Sequence, residues 1–497
     1  MTEHNTITLT PGAALDAYAG INLIGGARLA AGRTLDVLNP ATGAVLAQAA
    51  ASDAADTDAA VAAAKGAGAA WAAMPARERG KRVAAAGRAL ADQAETVAQL
   101  LAMETGKALR TECRGELAVA ADLLEFYGGL GGELKGETVP YNPRMLTMTT
   151  REPLGVVAAI LPWNVPLVLM MLKIAPALVA GNTVVVKASE EAPFATLLAA
   201  EIVAGFLPAG VLNVVCGTGA ECGAALTAHP DVVKITFTGS EAAGQIVYEA
   251  GARRIVPVSL ELGGKSPMIV CADANLDKTV TGAIAGMRFT RQGQSCTAAS
   301  RIYVHEDLFD AFMAHITEAL EGLVIGDPMD EATDIGTIVS AKQKATIDRY
   351  VAMAEGQAGA TVIRCGTLPD NDALSPDLFM QPTLITGLPE DHPCVQEEIF
   401  GPVAVVQKWS DYEAVIEAAN DSRYGLAATV WTTNIATALD ATSRLEAGYV
   451  QVNQNLTIQP NVSYGGFGRS GLGKEASLEA MQEHFTRKKT IVMSFDA

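Results

Sequence analysis

The sequence predicts an α/β protein built on a parallel sheet with helices laid over both faces. Three observations carry this reading. Between positions 156 and 262, strand-like and helix-like runs alternate with little between them. Three of the helix-like runs end at a glycine, the residue that most readily takes the left-handed conformation closing a helix. A second α/β stretch begins near Asn275. Alternation of this kind implies parallel strands joined by covering helices, and ligands then bind beyond the carboxyl ends of the strands.

Taken in order, the first fifty residues read as strands and turns, with Asn39-Pro40-Ala41-Thr42-Gly43 as a turn signal. From Ser52 the chain becomes rich in alanine with interspersed charge. Ser52 or Asp53 suits an N-cap, Pro75 divides the segment, and Gly106 suits a stop. In the second helix of this segment Val83, Leu90, Val97 and Leu101 recur on one face, as a core stripe does. A further helix is expected over 109–127, running into the glycine-rich 128–136. Strands follow at 156–160, 183–186, 212–215, 233–237 and 259–262. Between them lie helices at 167–180, 195–204, 220–228 and 241–250, with Gly181, Gly205 and Gly251 as stops. Beyond come a helix over 276–289, a strand over 301–304 and a helix over 308–320. An alternating run at 490–495 closes the chain as a strand.

Composition narrows the possibilities. A chain of 497 residues, 49% hydrophobic and 18% charged, is long enough for two or three domains with substantial cores. A net charge of −19 argues against nucleic acid and anionic membranes as partners. Cys113, Cys216, Cys222, Cys271, Cys296, Cys365 and Cys394 are odd in number and scattered, with no CxxC pair. Neither a disulfide framework nor a metal site is expected, and a reducing cytoplasm is the simplest setting. Met1-Thr2-Glu3-His4-Asn5 has no basic n-region, and no apolar h-region follows, so no secretory signal is expected. The charge-free run 153–172 could span a bilayer by length, but Pro153, Pro162 and Pro166 interrupt it. It reads as strand, turn and buried helix.

The chemistry gathers at the strand ends. Gln292-Gly293-Gln294-Ser295-Cys296-Thr297 puts a thiol on a short polar turn between a helix and a strand. Thiolate is the strongest nucleophile a protein carries near neutral pH, although a lone cysteine is more often a small core residue. Attack on a carbonyl develops an oxyanion, which the uncharged amide of Asn164 could stabilise together with the Cys296 backbone N–H. Glu261 ends the fifth strand and is followed by Gly263-Gly264, whose bare backbone permits close approach. A carboxylate there could activate water or deprotonate the thiol; its bland alternative is a solvated strand end. Gly217-Thr218-Gly219 follows a strand but is spaced wrongly for GxGxxG. In Phe237-Thr238-Gly239-Ser240 the serine stands at a helix N-terminus suited to phosphate, or serves as a plain cap. Lys187-Ala188-Ser189-Glu190 ends the second strand, and an isolated pair of this kind is by default an exposed salt bridge.

Pro162-Trp163-Asn164-Val165-Pro166, Glu261-Leu262-Gly263-Gly264-Lys265, the Cys296 turn and Glu397-Glu398-Ile399-Phe400-Gly401-Pro402-Val403 occur in this order. With these separations the set resembles the aldehyde dehydrogenase superfamily, over essentially the whole chain from about Asp36. The resemblance implies a dinucleotide-binding domain (1–130 and 151–261), an α/β catalytic domain (262–478) and a small β oligomerisation element (131–150 and 479–497). It implies Cys296 as nucleophile, Asn164 in the oxyanion hole and Glu261 as general base. NAD, or NADP, would be held by Trp163, Lys187, Glu190, Gly217, Thr238, Gly239, Ser240, Leu262, Gln343, Glu398 and Phe400. An aldehyde tunnel would be lined by Val165, Leu169, Leu172, Thr297 and Tyr464, and the assembly would be a homodimer or homotetramer.

Alternatives stand beside this reading. A CoA-acylating relative would not need Glu261, and a cysteine hydrolase would need a histidine, of which the chain has six. A non-catalytic protein on the same fold would have lost its catalytic positions. Arg291 could make the chain a semialdehyde dehydrogenase by binding a substrate carboxylate, or could form a salt bridge elsewhere. The residues near the tunnel otherwise point to uncharged aliphatic or aromatic aldehydes, with NAD favoured over NADP because Glu190 would repel a 2′-phosphate.

Overall fold

A computed structural model describes residues 9–455 and 458–495. At its centre the strands Leu212–Cys216, Thr183–Ala188, Val156–Ile160, Val232–Thr238 and Val258–Glu261 lie side by side and parallel. The first three are buried along their whole length, as strands covered on both faces must be, and their valine and isoleucine content suits that place. The hairpin Ile21–Ile24 and Ala27–Ala30 extends one edge, and Gly471–Leu472, from near the C-terminus, covers the other beside Glu261. A second sheet runs Thr361–Arg364, Thr383–Thr386, Val403–Trp409, Arg301–His305, Pro267–Val270, Ala427–Trp431, Tyr449–Val452, parallel except at its first pair.

The helices show where local sequence decides and where packing does. Asp53 caps Ala54–Ala73, accepting from the N–H groups of Ala55 and Asp56, and Gly106 ends Ala94–Thr105 in the left-handed region at φ 73°. Val83, Leu90, Val97 and Leu101 are all fully buried, but the stripe is carried by two helices, Ala76–Asp92 and Ala94–Thr105, that break at Gln93. Gly251 does not stop its helix, which runs Glu241–Arg254. A Cβ at Gly251 would lie 2.3 Å from Val258, so this glycine admits the neighbouring strand instead. Gly205 follows the last residue of its helix with φ −58°, outside the left-handed region. A helix over Pro11–Tyr18, started by Thr10 and Pro11, replaces part of the expected strands and turns.

The C-terminal strand, Thr486–Ser494, pairs antiparallel with Met145–Pro153 of its own chain, from Thr486↔Pro153 to Ser494↔Met145. The expected alternation is absent: from Arg487 to Ser494 only Ile491 is even partly covered. The strand forms the edge of a three-stranded sheet whose middle strand, Met145–Pro153, is itself only half-buried, so neither face is deeply packed. No helix among the described residues is long and apolar enough to cross a membrane.

Candidate active site

Cys296 lies on the loop that follows the helix Leu276–Met287 and the short turn Phe289–Arg291. The loop is tightly wound. Arg288 and Gln292 take left-handed conformations without being glycine, and Gly293 does so at φ 63°. A side chain at Gly293 would collide with the Gly401 carbonyl at 2.0 Å, and one at Gly264 with the Cys296 carbonyl at 2.5 Å. Both glycines therefore let other backbone segments close on the thiol. All seven cysteines are free, and Cys296 alone among them is partly exposed. Burial pushes its thiol up to about 12, with the Glu261 charge adding to the rise and a contact from Tyr464 opposing it.

Asn164 follows the central strand Val156–Ile160 and precedes the helix Pro166–Ala180. Its side-chain amide donates to the Gln294 carbonyl at 3.1 Å, which ties it to the thiol loop. Its own carbonyl accepts from the Lys107 ammonium at 2.8 Å. Lys107 is ion-paired with Glu116, whose other oxygen accepts from the Leu167 N–H at the start of that helix. Glu261 is buried, and neither carboxylate oxygen has a hydrogen-bond partner among the described residues. Burial first, then the nearby Glu475 charge, raises its pKa well above the ordinary carboxylate range. The space beside Oε1 exists because position 465 is glycine; a Cβ there would sit 2.7 Å away.

From Cys296 a cleft opens past Trp163, Leu262, Thr238, Gly239 and Ser240 on one side and Gln343, Glu398 and Phe400 on the other. The Trp163 and Phe400 rings meet edge to face at 5.4 Å, and Phe400 is held in a left-handed conformation at φ 56°. Glu398 reaches in through the slot left by Gly263, where a Cβ would strike its carboxylate at 2.2 Å. It accepts from the Gly264 N–H at 3.1 Å, and burial raises its pKa to about 7. Ser240 caps the helix Glu241–Arg254, while the buried hydroxyl of Thr238 has no partner among the described residues. Gln343 donates to the carbonyls of Ile399 and Phe400. Lys187 and Glu190 form a 2.7 Å ion pair at the end of the next strand; Glu190 and Thr218 face a separate cavity rather than this cleft. Gly217 is spent on packing, since a Cβ there would meet Cys222 at 2.9 Å and Ser52 at 3.1 Å.

Residues 28–491 match the model of the aldehyde dehydrogenase family. A hydroxyisobutyraldehyde dehydrogenase of Mycolicibacterium austroafricanum is 39% identical over 468 residues, 94% of this chain and 91% of the relative. The crystal structure of PnpE in complex with nicotinamide adenine dinucleotide, from a protein of Pseudomonas sp. WBC-3, superposes with a TM-score of 0.93. It is 37% identical, over 97% of this chain and 98% of that one. An NADP-dependent enzyme of E. coli gives 0.92 at 35% identity, over 96% and 99%. The chain belongs to the aldehyde dehydrogenase family. It is an NAD(P)-dependent aldehyde dehydrogenase.

On the far side of the thiol, this aldehyde dehydrogenase keeps Val165 half-buried, packed in the same apolar cluster as Cys296. Leu169 and Leu172 are core residues, 6% and 1% exposed, and neither lines the cleft. The Thr297 hydroxyl is engaged with Ser295 at 3.2 Å. Tyr464 comes closest to the chemistry, with its hydroxyl 3.8 Å from the Cys296 sulfur. Arg291 is taken up by a buried ion pair: its Nε donates to Glu112 at 2.7 Å, and Thr290 donates to the same carboxylate. Sequence reasoning missed Glu112, Lys107, Glu116, and the buried pair Lys173–Glu475 at 2.7 Å. Only Lys173 left a signal, as the single charge in the apolar helix Pro166–Ala180.

Proposed function

We propose that this enzyme oxidises an uncharged aliphatic or aromatic aldehyde to its carboxylic acid through a thioester on Cys296. The observation that carries the hydrolytic half is the buried carboxylate of Glu261, which has no partner of its own among the described residues. A buried charge is costly without a partner, so such a group is retained where it has a proton to take. In the proposed sequence the Cys296 sulfur bonds to the carbonyl carbon and the π pair moves onto oxygen. The Asn164 amide turns from the Gln294 carbonyl to that oxygen, joined by the Cys296 N–H. A bound nicotinamide dinucleotide supplies the two-electron acceptor. Glu261 then takes a proton from water as its oxygen attacks the thioester carbon, and the C–S bond breaks to release the acid.

The cleft suits that cofactor on its own evidence. The orphaned Thr238 hydroxyl and the N-terminus capped by Ser240 offer donors for a pyrophosphate. Glu398 offers a carboxylate for ribose hydroxyls, and Trp163, Leu262 and Phe400 give apolar walls. NAD is favoured over NADP because the family's pattern brings Glu190 to the adenosine ribose, where its carboxylate would repel a 2′-phosphate; here it lines a cavity separate from the cleft. That carboxylate is held by Lys187, and relatives of both kinds are known. The semialdehyde reading loses its support at Arg291, whose guanidinium is already matched by Glu112. A neutral branched aldehyde, as in the name of the mycobacterial relative, suits the surroundings of Val165.

Absorbance at 340 nm with hexanal, benzaldehyde and succinic semialdehyde tests the reading, using NAD or NADP with and without CoA. Hexanal and benzaldehyde should win with NAD and no CoA requirement. A higher kcat/KM for the semialdehyde, lost in Arg291→Ala, would overturn the substrate assignment. We further propose a cytoplasmic homodimer or homotetramer assembled through the three-stranded sheet. Exposed Val492 and Met493 on its edge strand, with Phe495 just beyond it, support this, as do the free cysteines for the location.

A further inference from the structure

A cysteine in this position must react as a thiolate, and burial opposes its ionisation. The group that reaches its sulfur among the described residues is the Tyr464 hydroxyl, at 3.8 Å. We infer that Tyr464 is a further catalytic residue, whose O–H donates to the Cys296 sulfur and holds it as thiolate for attack on the aldehyde. The inference rests on Cys296 being the nucleophile.

The phenol is placed rigidly. Its ring is 2% exposed and packs edge to face with Tyr449 at 5.8 Å. Its backbone exchanges two hydrogen bonds with Glu475, at 3.0 and 2.7 Å, and Glu475 is pinned by Lys173. Burial and the charges of Cys296, Glu261 and Glu475 keep the hydroxyl protonated far above its ordinary range, so it is a donor at every working pH. Other charged groups facing the sulfur are Glu261 and Glu398, which oppose ionisation, and Arg291 and Arg288, which favour it. Arg291 spends its charge on Glu112.

A phenol has an advantage over a cation here. It stabilises sulfur anion by a hydrogen bond, and it adds no positive charge to repel an oxidised nicotinamide ring. The 3.8 Å contact is long, as expected for a neutral thiol, and would shorten when the sulfur ionises. The thiol proton leaves to water, the sulfur pair forms the bond to carbon, and the Tyr464 proton stays on the phenol. It is therefore in place again when hydrolysis returns the thiolate.

The test is the pH dependence of Cys296 alkylation by iodoacetamide in cofactor-free enzyme. Mass spectrometry locates the label, and Cys296→Ser serves as control. Tyr464→Phe keeps the ring and removes the donor. Its alkylation midpoint should rise by about one pH unit and its rate at pH 7.5 should fall about tenfold, as one lost hydrogen bond to an anion predicts. Aldehyde kcat/KM should fall by a similar factor, with KM for NAD and the melting temperature unchanged. Should the Phe variant melt early, 3-fluorotyrosine at 464, a stronger donor, should move the midpoint down. An unmoved midpoint in either protein would overturn the assignment. Aldehyde oxidation surviving in Cys296→Ser would instead remove the nucleophile reading, which the alkylation profile does not depend on.

Discussion

At the scale of single residues, the site is a set of groups whose ordinary ionisation has been shifted by burial. In the role proposed for it Glu261 would act as a base only when ionised, and its raised pKa means that this activity would be lost as pH falls through a value above the free carboxylate range. Turnover should therefore show an acid limb, and Glu261→Gln should abolish it together with about 10²-fold or more of kcat. The same variant should accumulate an acyl-enzyme, visible as a mass increase on the peptide carrying Cys296. Near-normal turnover would remove Glu261 as the base. The catalytic candidates were legible in sequence because each stands beside residues with a backbone job: Asn164 between prolines, Glu261 before Gly263-Gly264, Cys296 after Gly293. Their supports were not legible. Glu112, Glu116 and Glu475 are carboxylates with nothing in their local pattern to mark them, and the partners of Glu112 and Glu475, Arg291 and Lys173, lie far along the chain.

At the scale of elements, the buried pair Lys173–Glu475 ties the helix after Asn164 to the segment that carries Tyr464 and Gly465. Removing one charge leaves the other buried and unmatched, a loss of about 3–5 kcal/mol. Glu475→Gln should lower the denaturation midpoint accordingly, and Lys173→Met combined with Glu475→Leu should recover much of the loss. Denaturant titration of Glu475→Gln, of the single variants Lys173→Met and Glu475→Leu, and of their combination measures this; full additivity of the last pair would show that the two groups do not communicate. Helix ends were read well where a cap or left-handed glycine decides, as at Asp53 and Gly106. They were misread where packing decides. Gly251 makes room for Val258, and the break at Gln93 interrupts a continuous apolar stripe.

At the scale of the whole molecule, the parallel strands 156–261 were evident from their alternation, and the motifs fall at their carboxyl ends. The small antiparallel sheet was less so: its strands come from 138–153 and 486–494, and its exposed faces give no period to read. If this sheet assembles the enzyme, deleting residues 489–497 should give monomers or insoluble protein in sedimentation velocity. An unchanged profile would exclude the role.

The edge strand beside Glu261 has a consequence for synthesis. Gly471–Leu472 pairs with Leu260 and Glu261, and Tyr464 and Glu475 lie in the same late segment. A nascent chain therefore carries its carboxylate for about 210 codons and its thiol for about 175 before Gly471 is made, a long-range closure of the kind that folds slowly. Chemical competence should therefore wait on a segment made well after the thiol and the carboxylate. Chains truncated after residue 460 should bind neither cofactor nor aldehyde, and chains that also carry residues 461–495 should bind both.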